Sequence, residues 1–209
     1  MGADKVWLPL GPMPVVAYSL RAFAMRASRI VFVVGAGRLR DAQLLTQELG
    51  IRCVVCEGGE RRQDSVRNGL SALGDVPLVA IHDGARPLVS DRLIEECYAV
   101  ANREGAALAA VPLRDTVKRL APDGQHVGST VSRDGLWAAQ TPQVFRTDII
   151  RRAYEALTED VTDDAAAVER LGFPVRIVLG DPYNIKLTTK EDLTVARAMI
   201  RRPGFGTGE

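Results

Sequence analysis

The sequence has almost no excess of either charge: 27 Lys and Arg against 26 Asp and Glu leave a formal net charge of +1. No global field therefore draws the chain to nucleic acid or to an anionic membrane, and any phosphate affinity must come from local clusters. Apolar runs of membrane-spanning length are absent. The first residues show no basic segment followed by an apolar core, so no secretory signal is expected. Histidine is confined to His82 and His126, too few for a His-rich metal site. The three cysteines, Cys53, Cys56 and Cys97, fit a reduced, cytoplasmic compartment. Cys53 and Cys56 have C-x-x-C spacing, but they lie in a β-branched run rather than on a turn entering a helix. Strand positions three apart face opposite sides, so both read as buried core thiols. No G-x-G-x-x-G follows a strand, which disfavours a dinucleotide-cofactor dehydrogenase. No Ser–His or Cys–His nucleophile, internal repeat or low-complexity block is evident.

What is present is an alternation. A length of 209 residues suits one generous domain with a real core. The first periodic segment is a helix, Pro14 to Phe23. Arg29 to Val34 is a continuous apolar run ending at Gly35 and reads as a strand buried on both faces. A helix follows over Asp41 to Leu49, a strand over Arg52 to Cys56, a helix over Asp64 to Leu73, and a strand over Leu78 to His82. Ser90 is placed to cap a helix through Asn102, and Ala106 to Pro112 is a further apolar strand. The alternation then breaks. Leu113 to Ser132 is polar and has Asp123-Gly124 as a hairpin signal, with strands expected at Val117–Leu120 and His126–Val131. It reads as an arm projecting from the main sheet. Order resumes with Leu136 to Ala139, helices near Thr147–Leu157 and Asp163–Leu171, and a strand at Val175–Leu179. Thr189 and Asp192 form a capping-box pattern opening a last helix to about Arg202.

Strands alternating with helices predict an α/β, Rossmann-like fold: a mostly parallel sheet with helices on both faces. Ligands in such sheets bind at the carboxyl ends of the strands. That rule selects the loops Gly58–Ser65, Asp83–Pro87, Pro112–Thr116 and Gly180–Thr188. GGERRQDSV has two glycines that let a backbone approach a ligand, and the forked donors Arg61 and Arg62. It reads equally as a turn before a charged helix start. In HDGARP, Asp83 can hold a sugar hydroxyl or a metal ion and Arg86 a phosphate, or the two can pair across a turn. Lys186 stands between apolar neighbours and must be paired or solvated. In SRDGLWAAQTPQVF, Arg133 stands at the base of the arm, Thr141-Pro142-Gln143 makes a polar turn, and the Trp and Phe read as core. Convergent cations without a nucleophile suggest phosphoryl or nucleotidyl transfer, where a protein mainly positions reactants and neutralises charge.

The motifs GGERRQDSV, HDGARP, PLRDTVKR, SRDGLWAAQTPQVF, TDDAAAVE and NIKLTT, in this order, resemble the 2-C-methyl-D-erythritol 4-phosphate cytidylyltransferase family. The resemblance runs from Met1 to about Arg202. It implies one nucleotidyltransferase domain over 1–202, with the arm at about 113–132 and a flexible tail at 203–209. It implies CTP and a polyol phosphate as substrates, pyrophosphate as product, Mg²⁺ as cofactor, and no covalent enzyme intermediate. By motif, Lys5 looks like the lysine that stabilises charge on the CTP phosphates. Gly58, Gly59, Glu60, Arg62 and Ser65 look like the cytidine-binding segment, with Glu60 where the family often has Asp. Asp83, Arg86, Thr116, Arg133, Thr141, Thr162 and Lys186 look like the polyol-phosphate site, Arg133 and Lys186 orienting the attacking phosphate. Family members dimerise through the arm, which helps build the partner's site.

Family members also begin with an apolar strand and a Gly-rich loop ending Arg-Met-Gly. Met1-Gly2-Ala3-Asp4-Lys5 matches the end of that loop, so the resemblance implies a preceding strand and loop of about 15–20 residues. Val6-Trp7 replaces the polar-aromatic pair usual after the Lys. Two rival readings remain: cytidylyl transfer to ribitol 5-phosphate, and a non-catalytic nucleotide-binding dimer. The run Leu136 to Gln140 looks more like the methylerythritol enzymes.

Overall fold

The computed structural model describes residues 3–201, with the backbone alone for Ala3 and Asp4. Met1, Gly2 and the tail expected to be flexible lie outside the described residues. A 3-10 turn over Ala3–Trp7 carries Lys5 into a small hairpin, β1 (Pro9–Leu10) and β2 (Met13–Pro14), that the sequence pattern did not announce. The elements then run α1 (Val15–Ala24), β3 (Val31–Val34), α2 (Leu39–Glu48), β4 (Val54–Glu57), α3 (Arg62–Leu73), β5 (Leu78–Ile81), α4 (Asp91–Glu104) and β6 (Ala106–Pro112). The arm follows as β7 (Val117–Leu120) and β8 (Val127–Val131), an antiparallel pair turned at Asp123-Gly124. The chain closes with β9 (Trp137–Arg146), α5 (Thr147–Ala156), α6 (Asp164–Arg170), β10 (Arg176–Leu179) and α7 (Lys190–Ile200).

Local chemistry sets the helix ends. The Ser90 hydroxyl accepts from the Leu93 N–H at 3.3 Å, and Gly105 ends α4 in the left-handed region at φ 90°. At α7 the capping box is reciprocal: Asp192 N–H donates to the Thr189 hydroxyl at 3.2 Å, and Thr189 N–H to the Asp192 carboxylate at 2.8 Å. Asp serves in place of Glu because its shorter carboxylate also accepts from the Thr188 N–H.

The sheet is mixed. β3 pairs parallel with β4, and β6 parallel with β10, as the alternation predicts. β9, however, lies antiparallel between β5 and β6. The reason is connectivity: β9 returns from the arm with no crossover helix, and a chain that doubles back pairs antiparallel. Helices cover both faces. Phe145, Leu70, Ile150 and Val168 centre one apolar cluster, while Leu93, Ile94, Ala107 and Val144 centre another.

Two sequence expectations change here. Thr141-Pro142-Gln143 is not a turn but the buried middle of β9. The register of β6 against β9 slips between Leu108↔Gln143 and Ala110↔Ala139, and this bulge accommodates a proline inside a strand. Phe145 is core, but Trp137, expected to pack with it, is 40% exposed at the foot of the arm. Cys53 and Cys56, expected as buried core thiols, are half-buried, and all three thiols are free.

Among the described residues β3 and β5 each have a single strand neighbour. Between them lies a cavity of about 500 Å³, walled by β3 and β5, with Val16, Leu20 and Phe23 of α1 and Val66, Leu70 and Leu73 of α3. Val6 also lines it, beside Asp83 and Gly84. An apolar strand added there would find an unpaired strand edge on either side. A form extended upstream by an apolar strand and a Gly-rich loop is therefore expected to be more stable. About five apolar side chains newly buried on such a strand would contribute roughly 1.5–3 kcal/mol each before chain entropy opposes them. With about 2–4 °C per kcal/mol for a chain of this size, the melting temperature should rise by about 5 °C or more. Equal melting temperatures for the two forms would rule this out.

Candidate functional site

The loop after β4 turns tightly because its glycines touch the helix that follows. A Cβ on Gly58 would sit 2.5 Å from the Ser65 Oγ, and one on Gly59 2.4 Å from the Asp64 Cβ. The Gly59 N–H donates to the Ser65 hydroxyl at 3.1 Å, folding the loop over the first turn of α3. Arg61 pairs outward with Asp64 and Asp160, whereas Arg62 turns inward. Glu60 is exposed, with no side-chain partner among the described residues.

Asp83, just past β5, is the hub. Its carboxylate meets the Lys186 ammonium at 2.7 Å and the Arg62 Nε at 3.5 Å. Burial by itself would raise its pKa, but Lys186 first, then Arg62 and Arg86, outweigh that and hold the carboxyl below its usual range. Three of the four loops selected from sequence therefore meet: Gly58–Ser65, Asp83–Pro87 and Gly180–Thr188. Arg86 fastens the last two by donating to the Asn184 carbonyl at 2.7 Å, and the Leu187 N–H donates to the Ala85 carbonyl at 2.8 Å.

A second layer fixes the hub from below. His82 is half-buried beneath the hub, and its Nε2 lies 3.1 Å from the Arg86 carbonyl. A carbonyl only accepts, so Nε2 carries the proton and Nδ1 accepts from the Thr141 hydroxyl at 3.0 Å. That hydroxyl in turn accepts from the Asp83 N–H at 3.1 Å. Thr141 thus lies 4% exposed and ties down Asp83. Burial, the largest cause, pushes the His82 pKa down to about 4.

The other expected residues fall outside this cluster. Thr116 and Arg133, at the two ends of the arm, are exposed and make no side-chain contact with the hub among the described residues. Thr162 is exposed just ahead of α6. Lys5 has no side-chain partner among the described residues, although its neighbour Val6 reaches Gly84. Sequence reasoning assigned no role to Asp164, Tyr154 or Gln143. Asp164 is 0% exposed and takes both Arg62 terminal nitrogens, at 3.1 and 2.6 Å. The available signal was the motif TDDAAAVE, where an Asp at the start of an apolar helix turn needs a partner.

Strands interleaved with helices, with cation-rich loops gathered at strand carboxyl ends, define a Rossmann-like nucleotidyltransferase fold. A family model described as IspD, 2-C-methyl-D-erythritol 4-phosphate cytidylyltransferase, matches residues 1–202. The chain belongs to this family. It is 48% identical over 212 residues to the enzyme of that name from Pelotomaculum thermopropionicum, covering 96% of this chain and 89% of the relative. It is 45% identical over 205 residues to the one from Dehalococcoides mccartyi, covering 96% and 90%. The crystal structure of the Thermus thermophilus enzyme superimposes with a TM-score of 0.86 at 34% identity, covering 96% of this chain and 95% of that one.

The depressed His82 pKa makes stability pH-dependent. Between pH 6.5 and about 4 the unfolded chain binds a proton at this site that the folded chain does not, so stability falls as pH drops through that window. The loss attributable to His82 is roughly 3 kcal/mol. Denaturant unfolding from pH 7 to pH 4 should show a slope that is flatter in His82→Gln. Parallel slopes would show that His82 does not titrate this way.

Proposed function

We propose that the chain transfers the cytidylyl group of CTP to 2-C-methyl-D-erythritol 4-phosphate, giving CDP-methylerythritol and pyrophosphate in non-mevalonate isoprenoid synthesis. The observation that carries the reading is the Asp83–Lys186–Arg62 cluster, built from three loops that hold family motifs. The relatives quoted above bear the methylerythritol name rather than the ribitol one, which favours the first substrate.

In this reading an oxygen of the substrate phosphate attacks the CTP α-phosphorus, the bond to the β-phosphate oxygen breaks, and pyrophosphate leaves. No side chain need act as nucleophile. Lys5 neutralises charge on the CTP phosphates, and Gly58, Gly59, Glu60, Arg62 and Ser65 hold the cytidine portion. Asp83 and Thr162 bind polyol hydroxyls. Arg86 supports their loop, with Thr141 beneath Asp83. Lys186, steered into the cleft by Asp83, faces the attacking phosphate together with Arg133 and Thr116 of an arm. Such preorganised cations stabilise charge where it develops.

Mg²⁺ is implied by the family and would offset phosphate charge. The donor set does not offer it a protein cage. Among the described residues no group of three or more His, Cys, Asp or Glu side chains comes together, and both Asp83 oxygens face cations. Mg²⁺ is accordingly assigned to the CTP phosphates, as is usual for this ion, and no step here is routed through it.

The dimer reading is supported by the arm. Leu120 and Val127 are each 60% exposed on the hairpin, and Leu136 and Trp137 are exposed at its base. An isolated two-stranded hairpin is marginal in water, so a second copy is the natural cover. Thr116 and Arg133, remote from their own hub, would then serve the partner's. No helix among the described residues is long and apolar enough to cross a membrane, and the three free thiols support a cytoplasmic setting.

Turnover of CTP with 2-C-methyl-D-erythritol 4-phosphate, followed by pyrophosphate release, tests the activity, and equal or better turnover with ribitol 5-phosphate would overturn the substrate assignment. Arg133→Ala should lower the rate on the order of 10²–10³ with folding intact, and Lys186→Ala by a similar factor but with a lower melting temperature, because it strips Asp83 of its nearest cation. Near-normal turnover in both would place them outside the site. Sedimentation at micromolar concentration should give a dimer, and Leu120→Glu with Val127→Glu should give a monomer. A monomeric unaltered chain would reject the arm-mediated dimer.

A further inference from the structure

Arg62 is held between two carboxylates that treat it differently. Asp164, fully buried at the start of α6, takes its two terminal nitrogens at 3.1 and 2.6 Å. Asp83, in the cleft, has only its Nε, at 3.5 Å. Asp164 is itself fixed: the Tyr154 hydroxyl donates to its Oδ1 at 2.5 Å. Burial, then the Asp164 charge, raise the phenol pKa, so the hydroxyl remains a donor. The start of α6 is pinned to β9, because the Gln143 side chain accepts from the Ala165 N–H at 2.8 Å and donates to Asp163 at 2.9 Å. A forked guanidinium prefers two-pronged contact with a carboxylate. Asp83 is the other carboxylate beside Arg62, and that contact would compete with the 2.7 Å Lys186–Asp83 pair.

We propose that Asp164 is a positioning residue: by occupying the fork of Arg62 it keeps Arg62 from closing on Asp83, leaving Asp83 to Lys186 and to a substrate hydroxyl. Tyr154 sets the Asp164 carboxylate in place. About a third of the Arg62 side chain stays exposed, at 35%, so the same restraint leaves the remaining N–H bonds of its terminal nitrogens available to an incoming anion. Asp164 acts through Arg62 and touches no substrate. The proposal rests on the cytidylyltransferase reading for its kinetic consequences, but its geometry stands apart from that reading.

The test is a double-mutant cycle on the full chain. Asp164→Asn should lower kcat/KM for the polyol phosphate on the order of 10- to 100-fold, as small misplacements of a positioned group do, mainly by raising KM for that substrate. In an Arg62→Ala background Asp164→Asn should have no further effect. Tyr154→Phe, which keeps both charges, should give a smaller loss, also absent in the Arg62→Ala background. If Asp164→Asn melts below the assay temperature, Tyr154→Phe carries the cycle alone. A second arm needs no turnover: carboxyl carbon NMR of Asp83 should titrate lower in Asp164→Asn, as Arg62 closes on it. Losses that add to that of Arg62→Ala, or an unchanged Asp83 titration, would overturn the proposal. An unaltered chain without CTP turnover would count against the assigned activity and leave the NMR arm to decide.

Discussion

One half-buried carboxylate organises this molecule. Asp83 sits in a setting that favours the neutral acid, yet it remains charged because Lys186 stands 2.7 Å away and Arg62 beside it. Neither cation is its sequence neighbour. Lys186 arrives after β10 and Arg62 after β4, so the carboxylate can stay ionised as it leaves water only when both loops have come home. Removing one partner of such a pair leaves an uncompensated charge, and that is costly away from water. The cluster is therefore at once a functional candidate and a check on correct folding.

Strand β9 makes the convergence possible. Its side chains Gln140, Thr141 and Gln143 are buried polar groups, and each reaches a different loop. Gln140 donates to the Asp181 carbonyl at 2.8 Å, Thr141 accepts from the Asp83 N–H at 3.1 Å, and Gln143 holds the start of α6 at Ala165. The Asn184 amide donates back to the Thr141 carbonyl at 2.8 Å. Polar groups at such depth must be satisfied, and satisfied networks specify one arrangement of the loops above them. Because β9 follows the arm directly, the hairpin is joined to the strand that underlies the hub. A disturbance at the arm therefore has a short path to Asp83, along β9 to Thr141 and across its hydrogen bond.

Cations in the cleft are graded rather than pooled. Arg61 faces outward to Asp64 and Asp160, Arg62 is divided between a buried and a cleft carboxylate, and Arg86 directs its two terminal nitrogens to backbone carbonyls. Burial pulls the Arg86 pKa down while Asp83 supports its charge. Lys186 is the most open of the hub cations, at 40% exposure, and so the one best placed to exchange its partner for a phosphate.

Much of this was legible in the sequence. The periodicity of Ala106 to Pro112, the cap at Ser90, the turn at Asp123-Gly124 and the box at Thr189 each act over a few residues, and local chemistry settles them. The loops that carry the hub were legible too, since ligand sites lie past strand carboxyl ends. The tertiary structure alone decided that β9 runs antiparallel and that Thr141-Pro142-Gln143 is a buried bulge rather than a polar turn, because Pro carries a turn propensity that pairing across a sheet overrides here. It alone buried Asp164 against Arg62, 102 positions apart. It also left Thr116 and Arg133 away from the hub, though motif resemblance had grouped them with Asp83. A residue's partner across such separations depends on which strands lie side by side, a property of the whole packed chain that no short window encodes.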